Sequence, residues 1–380
     1  MNFDFLHGLA TFGIIPFLIV LTIIVFFHEL GHFLVARWCG VKVLTFSIGF
    51  GPELFGFNDR YETRWKVCAI PLGGYVKFFG DENAASVPDH AAAAAMSEAD
   101  RRVSFIHQKV GPRAAIVVAG PVANFVLSVV LFAGIFMSIG RPVVPARIDE
   151  IVPDSAAAAA GLQAGDLIVA IDGRTVSGFT DMQRIVAGSS GRTLTLTIDR
   201  GGVREDIKAT PTTSGFCNAV LGIKKTRPDE VKLKAERPDA ALVLGVTETY
   251  FVVERSLCFV AGVFVGRESA NQLGGPIRIA EAAGDAWKTG LDSGGLGTAI
   301  AQLLYLSGFL SASIGLLNLF PIPLLDGGHL LFFAVESIRG RPLSERAQEF
   351  GFRIGLAIVV MLMLFATKND ISDIWHRLMS

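Results

Sequence analysis

Two histidines and a glutamate have the spacing of a metal site in the run His28-Glu29-Leu30-Gly31-His32. On a helix, residues i and i+4 share one face, so both imidazoles can reach a single metal ion. Neutral imidazoles suit zinc, and catalytic zinc sites commonly have three protein ligands and one open position. The carboxylate between the histidines is placed to take a proton from an attacking water molecule. The pattern predicts a catalytic zinc site.

The same residues lie in an apolar run from Phe12 to about Ala36, which is long enough to span a membrane. The alternative to a metal site is a pair of buried, hydrogen-bonded histidines with a glutamate facing a partner helix. An ionisable residue at the centre of a spanning helix costs about 2.5–3.5 kcal/mol on insertion scales. Three such groups at ligand spacing therefore favour a functional site.

A third ligand is offered by Asp326, in the segment NLFPIPLLDGGH that runs from Asn318 to His329. Its two prolines remove backbone donors and its Gly-Gly pair permits close backbone approach, so an unwound stretch is expected at the end of a span. Asp326 can reach His28 and His32 if both helix ends face the same side of the membrane. His329 is interpreted as a neighbour of the site, and the alternative for the whole segment is an ordinary helix end with an Asp-Gly turn.

The composition is that of a membrane protein with some soluble mass attached. Hydrophobic residues make up 51% of the 380 residues, charged residues 18%, and the mean hydropathy is +0.49. The net charge of −1 gives no basic surface for nucleic acid. The four scattered cysteines form no CxxC pair, and the sequence leaves open whether Cys217 and Cys258 form a disulfide.

Four segments qualify, or nearly qualify, as membrane spans. They are Phe12 to about Ala36, Ala114 to Ile139, about Ala299 to Phe320, and Ile354 to about Ala366. A fifth candidate, from Tyr250 to Gly266, is interrupted by Glu254 and Arg255 and is interpreted as an interfacial or re-entrant helix. Arginines and lysines are frequent between spans one and two, and arginines between spans three and four, which predicts that both loops are cytoplasmic. The segment from Arg141 to Thr298 is then extracytoplasmic.

With HExxH on a first span and N-x-x-P-x-P-x-L-D-G-G at the end of a later one, the chain resembles the site-2 protease family of intramembrane zinc metalloproteases, and more closely the bacterial regulator of sigma-E protease group. The resemblance covers nearly the whole chain. It implies one Zn²⁺ held by His28, His32 and Asp326, with Glu29 as the general base. It also implies that Asn124, in a G-P-x-x-N motif, lies near the active site, and that Asn318 handles substrate.

The loop from Ile70 to Gly80 is predicted to form a hairpin or looped strand around Gly73-Gly74. The resemblance implies a membrane-associated β-loop here that pairs with an extended substrate, and strand addition would expose the backbone that a helix hides. An ordinary interfacial hairpin is the alternative, and the run Ala91 to Ala95 is predicted to be a flexible insert. The residues predicted to bind substrate are Asn318, Pro321, Pro323, Gly73, Gly74, Tyr75 and Asn124.

The extracytoplasmic segment carries the pattern G-L-x-x-G-D-x-I-x-x-I-D-G between Gly161 and Gly173, which resembles a PDZ domain of bacterial proteases. Short β runs at Leu194 to Asp199 and Ile207 to Thr210, with a helix-like Asp181 to Ala187, fit one such unit within about Pro142 to Lys224. Relatives of this group often carry two such domains in tandem, which together could exclude large substrates. No second copy of the pattern follows here, so this size-filter role is not inferred from the resemblance. The unit could bind an extended peptide or act as a gate.

The sequence therefore predicts a multi-pass α-helical membrane protein with four spans, a cytoplasmic membrane-associated β-loop and an extracytoplasmic PDZ-like α+β domain. The predicted segments are 1–40 (first span), 41–112 (cytoplasmic β-loop), 113–140 (second span), 141–225 (PDZ-like domain), 226–298 (linker and interfacial helices), 299–329 (third span) and 330–380 (loop, fourth span and tail).

The predicted function is cleavage of single-span membrane proteins in the bacterial inner membrane, with the active site near the cytoplasmic side. The resemblance implies substrates such as a pre-trimmed anti-sigma factor or signal-peptide remnants. Expected partners are these substrates, the lipid bilayer and a possible peptide ligand of the PDZ-like domain, without nucleic acid. The alternatives are a zinc transporter, which would be expected to carry structural repeats, and an inactive PDZ scaffold, which has no need for Glu29.

Overall fold

The computed structural model describes residues 13–80, 96–214, 217–225 and 232–379. Phe12, where the first span was predicted to begin, and the run Ala91 to Ala95 lie outside the described residues. The helices in this part of the chain are α1 (Ile14–Trp38), α2 (Glu98–Val103), α3 (Val110–Ser138), α4 (Ala156–Ala159), α5 (Phe179–Ala187), α6 (Pro238–Phe264), α7 (Pro276–Asn318), α8 (Asp326–Arg339) and α9 (Glu345–Met379).

The strands are short except for the first two. They are β1 (Val43–Asn58), β2 (Arg64–Phe78), β3 (Arg141–Val143), β4 (Glu150–Ile151), β5 (Leu167–Ile171), β6 (Arg174–Thr175), β7 (Leu194–Arg200), β8 (Val203–Ala209), β9 (Thr212–Thr213), β10 (Ala219–Val220), β11 (Ile223–Lys224) and β12 (Lys232–Lys234). The chain divides into two compact units, Met1–Phe132 with Asn271–Ser380, and Ala133–Ala270. The finer domain boundaries drawn from the sequence stay predictions.

Among the described residues, four helices are long and apolar enough to cross a membrane: Ile14–Trp38, Val110–Ser138, Pro276–Asn318 and Glu345–Arg377. The number of candidate spans agrees with the sequence, and α6 is not among them. The fourth helix is much longer than the predicted Ile354 to Ala366, because polar turns extend it at both ends. Which side of the membrane each loop faces stays a prediction.

Helix α7 is interrupted at Gly295, whose φ of 74° is not helical. Its two arms fold against each other, since a side chain on Gly290 would lie 2.3 Å from Cα of Ala299, and Ala283 shares a buried cluster with Leu303 and Ile24 of α1. In a continuous helix Ala283 and Leu303 would be about 30 Å apart. The segment after Gly274, which the sequence placed within the linker and interfacial helices of residues 226–298, is therefore one arm of a hairpin, and its small residues bury one face.

Strands β1 and β2 are bent and form the sheet beside α1. Residues 43–48 pair on one side with residues 74–78 and on the other with residues 64–67, while residues 53–58 pair with residues 64–68. Residues 74–78 therefore form an edge of this sheet in the described chain. The predicted bend at Gly73-Gly74 is present, as a looped strand rather than a two-residue hairpin turn, and Gly73 has a φ of 111°.

The unit Ala133–Ala270 is built on a four-stranded antiparallel sheet in the order β6-β5-β7-β8. Its core contains the fully buried side chains of Ile168, Ile171, Leu194, Leu196 and Ile198, with α5 packed over them through Met182 and Val186. The predicted β runs and the helix near Asp181 are confirmed as β7, β8 and α5. Its identification as a PDZ domain stays a prediction. A disulfide joins Cys217 to Cys258, which the sequence had left open.

Candidate active site

The two histidines of α1 meet on one helix face, as their spacing requires. Nε2 of His28 is 3.2 Å from Nε2 of His32. Asp326, the first residue of α8, faces both rings: its Oδ2 is 3.2 Å from Nε2 of His28 and its Oδ1 is 3.6 Å from Nε2 of His32. The three ligand atoms lie within 4.8 Å of one another. The structure thus brings the three predicted ligands together.

The donor set fits a zinc ion. In a tetrahedral zinc site with bonds of about 2.0–2.1 Å, neighbouring donor atoms are about 3.3 Å apart, which is close to the separations of the two imidazole nitrogens from each other and from Asp326. Oδ2 of Asp326 is buried and has no hydrogen-bond partner among the described residues. A buried carboxylate oxygen without a donor is costly, and a cation held between the three groups removes that cost.

His32 is oriented by the backbone of α3. Its Nδ1 lies 2.9 Å from the carbonyl oxygen of Ile116, and an oxygen of this kind can only accept. The proton of the ring is therefore on Nδ1, which leaves the lone pair of Nε2 directed at the site. The sequence could not indicate that Ile116 orients His32, because the contact uses a main-chain carbonyl that every residue has.

His28 is oriented by Asn124, also on α3. The amide nitrogen of Asn124 is placed 3.2 Å from Nδ1 of His28, and Oδ1 of Asn124 is buried without a partner. The two ends of an amide are assigned from the hydrogen-bond network. Turning the amide by 180° lets its oxygen accept from Nδ1–H of His28 and removes the unpaired oxygen. Asn124 is fully buried and supports a histidine, and its role as a substrate-binding residue stays a prediction.

Gly120 makes room for both imidazoles. A Cβ atom at this position would lie 2.3 Å from Nε2 of His32 and 2.8 Å from Cε1 of His28. Any side chain would displace the rings, so the glycine of the G-P-x-x-N motif is required by close approach. Helix α3 thereby contacts both histidines through three consecutive turns, at Ile116, Gly120 and Asn124.

Glu29 lies beside the ligands and lines the same cavity of about 200 Å³. Its carboxylate accepts a hydrogen bond from the backbone N–H of Val76 on the edge segment of the sheet. The Glu29 side chain lies against this segment, since a Cβ atom on Gly74 would be 3.2 Å from Cγ of Glu29. The arrangement holds a carboxylate next to the three ligand atoms, where it can exchange a proton with a water molecule in the cavity.

The predicted substrate-binding residues separate into two groups. Gly74, Tyr75 and Asn318 line the cavity with Glu29 and the ligands, as does His329. Gly73, Pro321 and Pro323 do not line it. The ring of Phe50 lies against Gly73, and Pro321 is exposed. The role of Gly73, Pro321 and Pro323 in binding substrate stays a prediction.

Pro323 contacts another helix of the unit. A Cβ atom on Gly355 of α9 would overlap the carbonyl oxygen of Pro323. His329 is flanked by the rings of Phe352, at 5.5 Å between centroids, and Phe332, at 6.5 Å. His329 is not among the three residues whose ligand atoms converge, which agrees with its interpretation as a neighbour of the metal site. The apolar lining by Phe78, Phe105 and Val117 had not been foreseen, since nothing in the sequence links these segments.

The chain is similar over nearly its whole length to proteins that are named as metalloproteases. The model of peptidase family M50 matches residues 16–362. A protein of Agrobacterium fabrum named "Putative zinc metalloprotease Atu1380" is 45% identical over 97% of this chain and 97% of its own length. A protein of Mesorhizobium japonicum named "Putative zinc metalloprotease mll0638" is 46% identical over 94% of this chain and 98% of its own length. Metalloprotease MmpA of Caulobacter vibrioides is 38% identical, covering 94% and 95%.

Proposed function

The chain belongs to peptidase family M50 and is a zinc metalloprotease, and from this premise we propose that it cleaves the membrane-spanning segments of single-span membrane proteins. The observation that carries the proposal is the convergence of His28, His32 and Asp326 beside Glu29, on helices of which α1 is apolar enough to span a membrane. A hydrolytic site built into such a helix acts on peptide bonds at membrane depth.

In this proposal His28, His32 and Asp326 hold the zinc ion, and Glu29 is the general base. Zinc, when bound, polarises a scissile carbonyl and lowers the pKa of water at the site. Glu29 takes a proton from the attacking water and delivers it to the leaving amine, since its carboxylate lines the cavity that both must occupy. The N–H of Val76 holds the Glu29 carboxylate in place through these steps.

The sheet edge at residues 74–78 is the proposed place for substrate binding. A protease must bind extended backbone, and an edge strand offers main-chain donors and acceptors to a strand of substrate. Gly74 and Tyr75 belong to this edge and line the cavity with Glu29. Asn318 lines the cavity at the end of α7, and in this proposal its side-chain amide donates to a substrate carbonyl. Strand addition at this edge would place an unwound substrate segment next to the catalytic carboxylate.

We propose that the unit Ala133–Ala270 is extracytoplasmic and that the active site lies near the cytoplasmic side of a bacterial inner membrane. The distribution of arginine and lysine supports this orientation. So does cysteine chemistry: Cys217 and Cys258 form a disulfide, whereas Cys39 and Cys68 are free thiols. Disulfides persist in oxidising compartments such as the periplasm and are rare in the cytosol.

The same unit is the proposed PDZ-like domain, and its candidate ligand is an extended peptide. A cavity of about 600 Å³ lies between α5 and the strands at Ala219–Val220 and Ile223–Lys224, a place where a peptide could add to a strand. The proposed substrates are membrane proteins already trimmed outside, such as an anti-sigma factor, or signal-peptide remnants. The family assignment favours hydrolysis over the alternatives of a zinc transporter and an inactive scaffold.

The experiment compares the full-length chain with its Glu29→Gln variant, both reconstituted in lipid vesicles with a single-span reporter protein. We expect the variant to retain zinc and to lose cleavage by at least about 100-fold, the lower range for a general base. Glu62→Gln, at the exposed Lys42–Glu62 ion pair, is the matched control and should cleave normally. Unchanged cleavage by Glu29→Gln would contradict the assignment. Cleavage of soluble unfolded chains with no cleavage of the reporter would contradict the substrate class.

A further inference from the structure

The carboxylate of Asp326 is not held by hydrogen bonds in the way that the two imidazoles are. Each histidine contacts a polar group of α3, whereas Oδ2 of Asp326 has no hydrogen-bond partner within the described ranges. Asp326 is the first residue of α8, and Leu325, which precedes it, gives no side-chain cap. The position of the carboxylate therefore depends on how α8 as a whole is held.

The far end of α8 is held by a largely buried ion pair. Nη2 of Arg113, in the first turns of α3, donates to Oε1 of Glu336, and the two side chains are only 11% and 15% exposed. Arg113 is fixed by two further contacts: its Nε donates to the carbonyl oxygen of Gln108 at 3.0 Å, and its guanidinium lies 4.8 Å from the ring centroid of Phe333. These three contacts hold the planar guanidinium in one orientation, so it has little freedom to follow the Glu336 carboxylate if α8 moves.

One helix thereby contacts both elements that carry the ligands. Helix α3 contacts the histidines of α1 at Ile116, Gly120 and Asn124, and it contacts α8 through Arg113. Glu336 is ten residues after Asp326, about 15 Å along the helix. A rotation of α8 about its own axis, or a shift along that axis, would move the carboxylate, and metal ligands tolerate errors of only about 0.2 Å in bond length.

We propose that Arg113 and Glu336 are positioning residues that hold Asp326 in the geometry of the zinc site. This inference rests on the proposed role of Asp326 as a ligand. Phe333, also on α8, is buried under the Arg113 guanidinium and adds a second contact between α8 and Arg113. Loss of the ion pair frees α8 at one end, so the third ligand is lost from its place while both histidines stay oriented.

The test measures zinc affinity by chelator competition in the full-length chain in detergent micelles, together with the visible absorption spectrum of the cobalt-substituted protein. We expect Glu336→Gln to weaken zinc binding by about 10-fold, the lower range for residues that orient ligands, and to lower the intensity of the tetrahedral cobalt bands. Arg113→Lys keeps the charge and should retain an intermediate affinity. The exchange Arg113→Glu with Glu336→Arg should bind zinc more tightly than either single change.

The matched control is Glu248→Gln, which breaks the comparably buried Arg184–Glu248 pair of the other unit and should leave zinc binding unchanged. Wild-type affinity and spectrum in Glu336→Gln, or equal losses in both glutamine variants, would overturn the proposal. If Glu336→Gln fails to fold, the Arg113 variants decide. The proposal would be overturned if Arg113→Lys had the wild-type spectrum and zinc affinity and if the double exchange bound zinc no more tightly than its single changes. Asp326→Asn distinguishes the ligand role of Asp326 from the positioning role of Glu336. Unchanged zinc affinity in Asp326→Asn would refute the ligand assignment itself. Weaker zinc binding in Asp326→Asn but not in Glu336→Gln would refute only the positioning role.

Discussion

Asp370 caps the helix that follows Gly275. Its Oδ1 accepts a hydrogen bond of 2.9 Å from the N–H of Gly275, and its Oδ2 accepts bonds of 3.1 and 3.2 Å from Ile277 and Arg278. The first N–H groups of a helix have no partner inside the helix, and a carboxylate there also complements the helix dipole. The last long helix, α9, is in this way attached to the first arm of α7.

We expect Asp370→Ala to lower the free energy of unfolding by about 2 kcal/mol, the upper range for a lost cap, because Asp370 is almost fully buried and three donors lose their acceptor. Thermal unfolding in detergent, with the calorimetric enthalpy, measures the change. The matched control is Asp373→Ala, which removes the more exposed partner of Arg278 and should cost less than about 1 kcal/mol. Equal effects of the two changes would contradict the capping role.

Gly120→Ala is expected to abolish stoichiometric zinc binding, because the added methyl group would collide with both imidazoles. Metal content after purification and dialysis measures the loss. Gly134→Ala on the same helix is the control, since a methyl group there meets no atom within 4 Å. A Gly120→Ala protein with one zinc ion per chain would show that the histidines can move aside and still bind the metal.

Acid is expected to destabilise the unit Ala133–Ala270 through Asp166. The hydrogen bonds from Arg200 lower the pKa of the Asp166 carboxyl from its usual value near 3.8, and the N–H of Gln163 acts in the same direction. A carboxyl whose pKa is lower in the folded state contributes stability at pH values above its unfolded pKa. That contribution is lost as the pH falls from about 5 through the folded pKa.

Hydrogen exchange of the β5 and β7 amides between pH 6 and pH 3 tests this, after correction for the intrinsic exchange rate. Protection should fall more steeply with acid in the wild type than in Asp166→Asn, whose side chain does not titrate. Asp206→Asn is the control, because Asp206 is an exposed acceptor on the same sheet and should follow the wild type. Identical pH slopes for wild type and Asp166→Asn would refute the linkage.

Replacing Cys217 and Cys258 by serine is expected to destabilise the same unit by about 4 kcal/mol, the loop-entropy value for a sequence separation of 41. Hydrogen exchange of the buried β7 amides gives the change in opening free energy. Reduction of the wild type should reproduce the effect, and Cys39→Ser, at a free thiol of the other unit, should not. Equal protection with and without reductant would show that the disulfide does not constrain this unit.

The sequence alone was sufficient for the features that depend on short spacings or on composition. The position of His28 relative to His32 follows from one helical turn, and the number of candidate spans follows from the length of apolar runs against the thickness of a bilayer. The strands and helix of the second unit followed from local alternation and turn residues. The interruption at Gly295 was missed, because glycines in a run of small residues, such as those at 290, 294, 295 and 297, do not indicate whether the chain folds back.

Asp326 was predicted as a ligand because an unwound Pro-rich helix end and a shared side of the membrane could bring it to the histidines, but its distance from them was decided only by tertiary structure. The same holds for the contacts of Asn124 with His28, of Arg113 with Glu336 and of Asp370 with Gly275. Each joins residues far apart in the chain, and a polar side chain in a span has many possible partners until helix packing selects one. The sequence by itself determined which groups could bind zinc; the packing of α3 against α1 and α8 decided how they are oriented, because orientation at a metal site depends on contacts between helices that no local pattern encodes.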